Sequence, residues 1–273
     1  MLSRSSLAST HATAYAMPLL ALAGLAFSTL THAQAVEDDA WHFNAGVGLM
    51  SQPSYPGSSE TRTGALPTFG ASKGRWQLGA VPGAGVPLGV GYTLMQDGPW
   101  RMGLGVGTGL GRSRNDSEST KFSNLGAIEQ TALGSLSGSY TQGAVAASAN
   151  IITDIGGHQQ GTRALLDVSF RTRPMERLVL SAGPGMTWTD GRYAQTYYGV
   201  SAAQSASSGY ATYKARAGLN AWRLGASADY QLTHEWSLSA KLGVTQLQGD
   251  AANSPTIDKK TQTSYGLFAN YRF

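Results

Sequence analysis

The stretch TSYGLFANYRF, residues Thr263 to Phe273, alternates in polarity with a period of two, which is typical of a β-strand. The apolar face of this predicted strand carries Tyr265, Leu267, Ala269, Tyr271 and Phe273. The opposite face is mostly polar, with Phe268 as its one large apolar residue. An apolar outside and an aromatic end are typical of the closing strand of a membrane β-barrel, whereas the alternative is an edge strand of a soluble sandwich. We therefore predict that this strand pairs with the first strand and is the signal that barrel-assembly machinery recognises.

The composition favours strands over membrane-spanning helices. Charged residues make up 13% of the 273 residues, against roughly 25% in an average soluble domain. The chain contains 35 glycines, and downstream of its first 35 residues no apolar run reaches the roughly 18 residues that a spanning helix needs. The net charge of +4 is too small and dispersed to predict nucleic-acid binding. The absence of cysteine excludes disulfides and thiol chemistry.

The start of the chain resembles a secretory signal. Arg4 precedes a moderately apolar run from Met17 to Leu30, and Ala33-Gln34-Ala35 has the small-x-small pattern of a signal-peptidase site. We predict that residues 1–35 are a removed signal peptide and that residues 36–273 form the barrel; the alternative is an N-terminal anchor helix. Export and the C-terminal strand together predict the outer membrane of a Gram-negative cell, with lipid around the barrel.

Alternating segments from Trp41 onward predict an all-β, transmembrane antiparallel barrel. Eleven segments are regular, but the region from Tyr210 to Gln231 changes phase near Asn220. It is either one strand with a bulge or two strands with a tight turn. Because both termini of a bacterial barrel lie in the periplasm, the strand number is even. We predict twelve strands, with Tyr210 to about Leu219 extending one of them above the membrane.

The tryptophans fall at predicted strand ends. Indole rings prefer the boundary between lipid and water, so this placement predicts two aromatic girdles. The girdle residues are Trp41, Trp76, Trp100 and Trp236 at the periplasmic end and Trp188 at the outer end.

Charged residues occupy inward positions of the later strands. They are Arg163, Asp167, Arg171, Arg223, Asp229, Lys241 and Arg272. Their mixed signs on neighbouring strands predict a lumen braced by ion pairs, while the functional alternative is a selective pore. Glycines line the lumen in the earlier strands, leaving open whether that side is empty or filled by other side chains.

The sequence offers no catalytic, cofactor-binding or metal-binding constellation. The histidines have no metal-ligand spacing, and the His and Ser two residues apart of outer-membrane phospholipase have no counterpart. Asp190 with Tyr193, and Asp250 with Asp258, are predicted to be solvated loop residues.

Several loop motifs together resemble the MipA/OmpV family of outer-membrane proteins, the MltA-interacting proteins. These motifs are Tyr55-Pro56-Gly57-Ser58, Gly111-Arg112, Tyr193 to Ser201 with Ser208-Gly209, Leu247 to Ala251 with Ser254-Pro255, and Tyr271-Arg272-Phe273. The resemblance implies a non-enzymatic barrel without a cofactor. It also implies a scaffold that brings a lytic transglycosylase together with a penicillin-binding protein in peptidoglycan growth.

Two other functions stay open at this point. The charged lumen favours a pore for small solutes. The tyrosine-rich outer loops around Tyr193 to Tyr213 favour adhesion, because exposed aromatic residues make good interface anchors.

Overall fold

The structure is a computed structural model that describes residues 40–81, 86–109 and 124–273. These residues form a closed antiparallel barrel in which each strand pairs with its neighbours in the sequence. The strands are β1 (His42–Pro53), β2 (Thr61–Lys73), β3 (Trp76–Val81), β4 (Val86–Asp97), β5 (Trp100–Thr108), β6 (Ala132–Gln142), β7 (Val145–Asp154), β8 (Thr162–Met175), β9 (Leu178–Thr189), β10 (Gly218–Gln231), β11 (Trp236–Leu247) and β12 (Thr261–Arg272). Three short helices, α1 (Gly191–Tyr198), α2 (Ala202–Ser208) and α3 (Gly249–Ala252), lie in the connections. The predicted twelve-strand barrel is thus confirmed, whereas residues 1–35 of the predicted signal peptide lie outside the described residues.

The barrel closes where β12 meets β1. The two strands pair antiparallel, with Val47 opposite Ala269 and Leu49 opposite Leu267. Beyond the last strand residue, the Phe273 amide donates to the Phe43 carbonyl at 3.0 Å. The closing strand predicted from the C-terminal alternation is therefore present, and neither β1 nor β12 leaves an open edge.

The barrel wall has an apolar exterior. Along β12, Leu267 is 65% exposed whereas Ser264 is 3% exposed. The same alternation puts Leu49, Phe170 and Leu224 outside. Such a surface suits lipid, because the strand hydrogen bonds are satisfied within the closed sheet. The described part of the chain contains no helix long and apolar enough to cross a membrane.

The two ends of the barrel differ in their connections. At one end, here called the turn end, short turns join β2–β3, β4–β5, β6–β7, β8–β9 and β10–β11. The other end, called the loop end, carries the longer connections, including residues 190–217 between β9 and β10. Gly74, Gly98 and Gly143 occupy left-handed positions in the tight turns, which glycine adopts without steric cost.

The ambiguous region from Tyr210 to Gln231 contains one strand, β10, which has a bulge. The pairing of β10 with β9 shifts register between Leu219 and Ala221, which is the predicted position at Asn220. The expected extension from Tyr210 to about Leu219 is wrong, because β10 begins only at Gly218. The preceding residues fold back instead, and Tyr213 forms an isolated bridge with Val200.

Inward glycines let side chains of next-nearest strands meet. Gly185 on β9 is opposite both Asp167 on β8 and Arg223 on β10. The Arg223 Nη2 atom lies 2.8 Å from Asp167 Oδ1, so this ion pair crosses β9 over the glycine. A Cβ atom on Gly185 would collide with the Asp167 carboxylate.

The same arrangement recurs at the seam of the barrel. Gly46 on β1 is opposite Thr68 on β2 and Asn270 on β12, and Thr68 Oγ1 donates to Asn270 Oδ1 at 3.0 Å. Beside it, the ring of Phe268 occupies the space that side chains on Gly48 and Gly266 would need. Around these positions the glycine-lined side is therefore filled by neighbouring side chains.

Candidate functional site

The loop end carries a folded cap. We use this name for the residues 54–60, 155–161, 190–217 and 248–260 together. Its apolar core consists of Tyr55, Leu125, Tyr193, Ala194, Tyr198, Val200, Ala215, Ala221, Leu247, Ala251 and Ala252, contributed by the cap, by the adjoining strand ends and by the segment before β6. The long connections therefore fold together like a small soluble domain on the strand ends.

Helix α1 begins after Asp190, an N-cap residue that the sequence analysis did not predict. Asp190 Oδ1 accepts the Tyr193 amide at 2.7 Å, which satisfies one of the free donors at the helix start. Tyr193 is buried in the cap core and stacks on Tyr197, with ring centroids 4.3 Å apart. The prediction that Asp190 and Tyr193 are solvated is therefore wrong.

Tyr198 links three elements beneath the surface of the cap. It is 4% exposed, and its hydroxyl donates to Asn220 Oδ1 at 3.2 Å at the bulge of β10. Its carbonyl accepts the Ser254 hydroxyl at 2.6 Å. Burial raises the pKa of Tyr198 well above its ordinary value, so its phenol stays neutral and acts as a donor.

Helix α2 is fixed by a capping box. Ser201 Oγ accepts the Gln204 amide at 3.2 Å, and the Gln204 side chain accepts the Ser201 amide at 2.9 Å. Gln204 Nε2 also donates to the Leu125 carbonyl at 2.6 Å. The helix is thereby attached to the segment that precedes β6.

The first loop is tied to the last loop. The Tyr55 hydroxyl donates to Asp258 Oδ2 at 2.9 Å, and burial raises the pKa of Tyr55. Gly57 has a φ of +90°, and a Cβ atom there would collide with Ile257. The amide of Asp258 donates to the Gly57 carbonyl at 2.9 Å. Only glycine therefore fits this position of the Tyr-Pro-Gly-Ser motif.

An exposed ion pair holds α3 to the residues before β10. Arg216 Nε lies 3.1 Å from Asp250 Oδ2, and the Arg216 amide donates to the same oxygen at 2.9 Å. These bonds from Arg216 lower the pKa of Asp250 below its ordinary value. Asp250 is thus paired with Arg216 at the cap surface, where the sequence predicted a solvated loop residue.

A cavity of about 80 Å³ lies between the cap and the lumen. Tyr55, Tyr193 and Tyr198 line it from the cap. Arg163 and Arg223 line it from the barrel wall. The cavity thus joins aromatic residues of the family-like motifs to two of the predicted lumen charges.

The remaining predicted lumen charges are distributed along the barrel. Asp229 accepts hydrogen bonds from Ser227 at 3.0 Å and from Ser239 at 2.6 Å. The Lys241 Nζ atom lies 5.4 Å from the centroid of the Phe268 ring. Arg171 and Arg272 lie near the turn end, far along their strands from Arg163.

The ion pair that the structure shows in the lumen joins Asp167 to Arg223. These two residues lie on β8 and β10, which are separated by β9. The pair agrees with the expectation of a lumen braced by ion pairs, but it spans β9 because a side chain can reach across a strand where glycine lies between. The pore-lining role of the seven charges stays a prediction.

The tryptophans proposed as girdles are all exposed on the outside of the barrel. At the turn end, Trp76, Trp100 and Trp236 each contact a tyrosine on the neighbouring strand, with centroids 4.8, 4.7 and 5.1 Å apart. Trp41 stacks near Phe43, whereas Trp188 lies towards the loop end. The membrane role of these rings stays a prediction.

Sequence reasoning missed one tryptophan. Trp222 is exposed on β10 and pairs with Met186, close to Trp188 on β9. The signal was present, because the phase change at Asn220 moves Trp222 to the outer face.

The residues proposed as an assembly signal share the outer phase of β12. Tyr265, Leu267 and Phe273 are exposed, whereas Ala269 and Tyr271 are half-buried. Tyr271 contacts both Trp236 and Phe273. The structure does not test recognition by assembly machinery, so this role stays a prediction.

The loop motifs around Tyr55, Tyr193, Leu247 and Ser254 meet in the cap, whereas Tyr271-Arg272-Phe273 lies at the turn end. Tyr55, Tyr193 to Val200, Leu247, Ala251 and Ser254 contribute to its core or its hydrogen bonds. Gly111-Arg112 lies outside the described residues. Within the described ranges, no three His, Asp or Glu side chains form a group that would hold a metal ion.

This chain matches about two fifths of the length of two named relatives. "Putative outer membrane protein YiaT" of Escherichia coli K12 is 28% identical over 106 residues, which cover 38% of this chain and 42% of that protein. "MltA-interacting protein" of the same organism is 30% identical over 98 residues, which cover 35% of this chain and 38% of that protein.

Solved outer-membrane structures are similar to this chain at a low level. The outer membrane protein OmpT of Vibrio cholerae covers 88% of this chain and 100% of its own, with a TM-score of 0.36 and 10% identity. The outer membrane channel DcaP of Acinetobacter baumannii covers 89% and 100%, with a TM-score of 0.36 and 10% identity. Likeness at this level carries no functional information.

The model of the family "MltA-interacting protein MipA" matches residues 45–273, which include most of β1, all the later strands and the whole cap. This match confirms the family resemblance drawn from the loop motifs. The chain is an outer-membrane β-barrel that belongs to the MltA-interacting protein MipA family.

Proposed function

We propose that this barrel is a non-enzymatic docking protein that brings murein enzymes together at the inner face of the outer membrane. A relative carries the name MltA-interacting protein, which supports a murein enzyme as one partner. The family resemblance drawn from the loop motifs implies a lytic transglycosylase for this partner and a penicillin-binding protein as the second. Short turns face the periplasm in bacterial barrels, so the turn end is the surface that such partners meet.

The observation that carries this proposal is a ridge at the turn end. We define the ridge as residues 172–177 and 231–235. The pairing of β8 with β7 ends at Phe170 opposite Val145, yet β8 continues to Met175. The Gln231 amide donates to the Arg177 carbonyl at 2.8 Å, which joins the two parts.

The ridge offers both apolar and charged contact groups. Met175 is 63% exposed and Leu232 is also exposed, while Arg173, Glu176 and Arg177 surround Met175 in the sequence. Pro174 blocks β-strand addition at this edge, because it has no amide donor. Side-chain contacts would therefore hold a partner. A stable interface needs roughly 800 Å² per partner, so a ridge of this size favours a transient contact.

Photo-crosslinking in cells tests the proposal. A photoreactive residue at Met175 should crosslink to a lytic transglycosylase, because Met175 is the most exposed apolar group of the ridge. The same residue at Ala203, exposed on α2 at the loop end, is the matched control and should give no such product. Equal crosslinking at both positions, or none at Met175, Leu232 and Arg173, would contradict docking at the ridge.

Bilayer conductance separates this function from that of a channel. The purified barrel is expected to give no reproducible single-channel steps. Cap residues lie next to the lumen side chains of β8 and β10 around the cavity. Inside the barrel, the Phe268 ring and the Asp167–Arg223 ion pair fill space over inward glycines. Regular steps at defined voltage would favour a pore instead.

A further inference from the structure

We propose that the cavity beneath the cap binds a small organic carboxylate. The site lies at the loop end, away from the ridge, so the inference goes beyond docking and does not rest on it. Its volume of about 80 Å³ holds several water molecules, since one water needs roughly 10–15 Å³ of such space. A solute of a few heavy atoms fits this space.

The charge of the cavity favours an anion. Arg163 and Arg223 both line it, whereas its described lining includes no aspartate or glutamate. Asp167 neutralises Arg223 from below, at 2.8 Å. Arg163 has no carboxylate partner among the residues described. One positive charge is therefore left over in the cavity, where it attracts an anion and repels a cation.

Arg223 is already oriented for recognition. Its Nη2 atom is held by Asp167 and by the Met186 carbonyl at 3.3 Å. Its Nε atom is buried and finds no acceptor in the described part of the chain. A buried charged donor without an acceptor is costly, so an added acceptor would be favourable. Arg223 can therefore add one bond from Nε, whereas the planar fork of Arg163 matches the two oxygens of a carboxylate.

The opposite wall favours an organic ligand over an inorganic ion. Leu165, Ala221 and Leu247 line the cavity together with the rings of Tyr193 and Tyr198. Small-molecule sites usually combine such apolar walls with a few polar groups that fix orientation. A short alkyl chain would lie against these side chains while its carboxylate meets Arg163 and Arg223.

Calorimetric titration of the purified barrel in detergent tests this site, with sodium butyrate as the probe and ionic strength held constant with sodium chloride. We expect saturable binding of butyrate and none of butyramide, which has the same shape without the charge. Arg163→Gln should weaken butyrate binding about tenfold or more. Arg171→Gln, an inward arginine near the turn end, is the matched control and should leave it unchanged.

Three results would overturn the proposal: no saturable binding of butyrate, equal binding of butyramide, or equal weakening by the Arg171→Gln control. Arg163→Lys gives a second variant if Arg163→Gln does not fold, since it keeps the charge but loses the fork. It should bind butyrate more weakly than the native chain and more tightly than Arg163→Gln. Unchanged affinity in a folded Arg163→Lys barrel would also contradict recognition by Arg163.

Discussion

The two ends of the barrel use their residues in opposite ways. At the loop end the cap buries Tyr193, Tyr198 and Val200 and connects its loops through hydrogen bonds. At the turn end, short turns leave Met175 and Leu232 exposed. The cap thus has a core of its own, whereas the turn end leaves its side chains available to partners. At the ridge this exposure is greater because β8 continues past the end of its pairing with β7 and leaves Met175 exposed.

Removing the buried tyrosine of the cap should have the largest effect on stability. Tyr198→Ala is expected to reduce the free energy of unfolding by about 3–5 kcal/mol, the range for large aromatic truncations in cores. It also removes the donor to Asn220. Urea unfolding of the barrel in lipid vesicles measures the change.

The control for that prediction lies at the turn end. His234→Ala removes an exposed side chain of the β10–β11 turn and should change the free energy of unfolding by less than about 0.5 kcal/mol. Comparable losses for Tyr198→Ala and His234→Ala would remove the distinction between the two ends.

Breaking the ion pair of the lumen should have the next largest effect on stability. Asp167→Ala leaves Arg223 without its partner, which costs up to about 3–5 kcal/mol for a buried pair. We expect the lower part of that range, because the Arg223 and Asp167 side chains keep 14% and 11% exposure to solvent. Urea unfolding again measures it.

A double variant isolates the pair itself. Asp167→Ala combined with Arg223→Leu removes both charges and should recover much of the loss, because no uncompensated charge then stays in the lumen. If the double variant is less stable than Asp167→Ala alone, the loss does not arise from an unpaired arginine.

Helix α2 should show a smaller and local effect. Ser201→Ala removes the N-cap acceptor and should destabilise the helix by about 1 kcal/mol. Faster amide exchange of Gln204 would report it. Ser201→Asn keeps an acceptor at the cap and should retain near-native exchange; equally fast exchange in both variants would argue against the capping box as the cause.

The smallest effect is expected at the cap surface. Arg216→Gln should raise the pKa of Asp250 towards its ordinary value, because the Arg216 side-chain bond is the main cause of its lowering. In the native chain the lowered pKa of Asp250 contributes stability that is present above the unfolded-state pKa and is lost as the pH falls through the folded-state pKa. The effect is the smallest of the series because both side chains are in contact with solvent. An NMR titration of Asp250 measures the shift, and an unchanged pKa would contradict the assigned cause.

Alternation predicted the barrel because it is a local property of the chain. Each strand places every second side chain against lipid, so the pattern around Leu267 or Leu224 is visible without knowing the neighbours. The even strand count then resolved the region around Asn220. The bulge puts Trp222 on the outer face near Trp188, and the phase change at Asn220 is the sequence signal for this position.

The cap was not predictable in the same way. Its contacts join residues far apart in sequence, such as Tyr55 with Asp258 and Tyr198 with Ser254. No period marks such residues, and polar loop composition resembles that of solvated loops. The motif segments pointed to a family without showing that Ile257, which lies against Gly57, packs on the same cluster as Tyr198.

The glycine between Asp167 and Arg223 has a consequence for evolution. A side chain at position 185 would occupy the space of the Asp167 carboxylate, so the ion pair requires glycine there and all three positions are constrained together. Thr68, Gly46 and Asn270 form a second such triplet. In aligned relatives, correlated substitutions would therefore connect β8 with β10 and β2 with β12, and a method that infers strand neighbours from covariation would skip the strand that lies between.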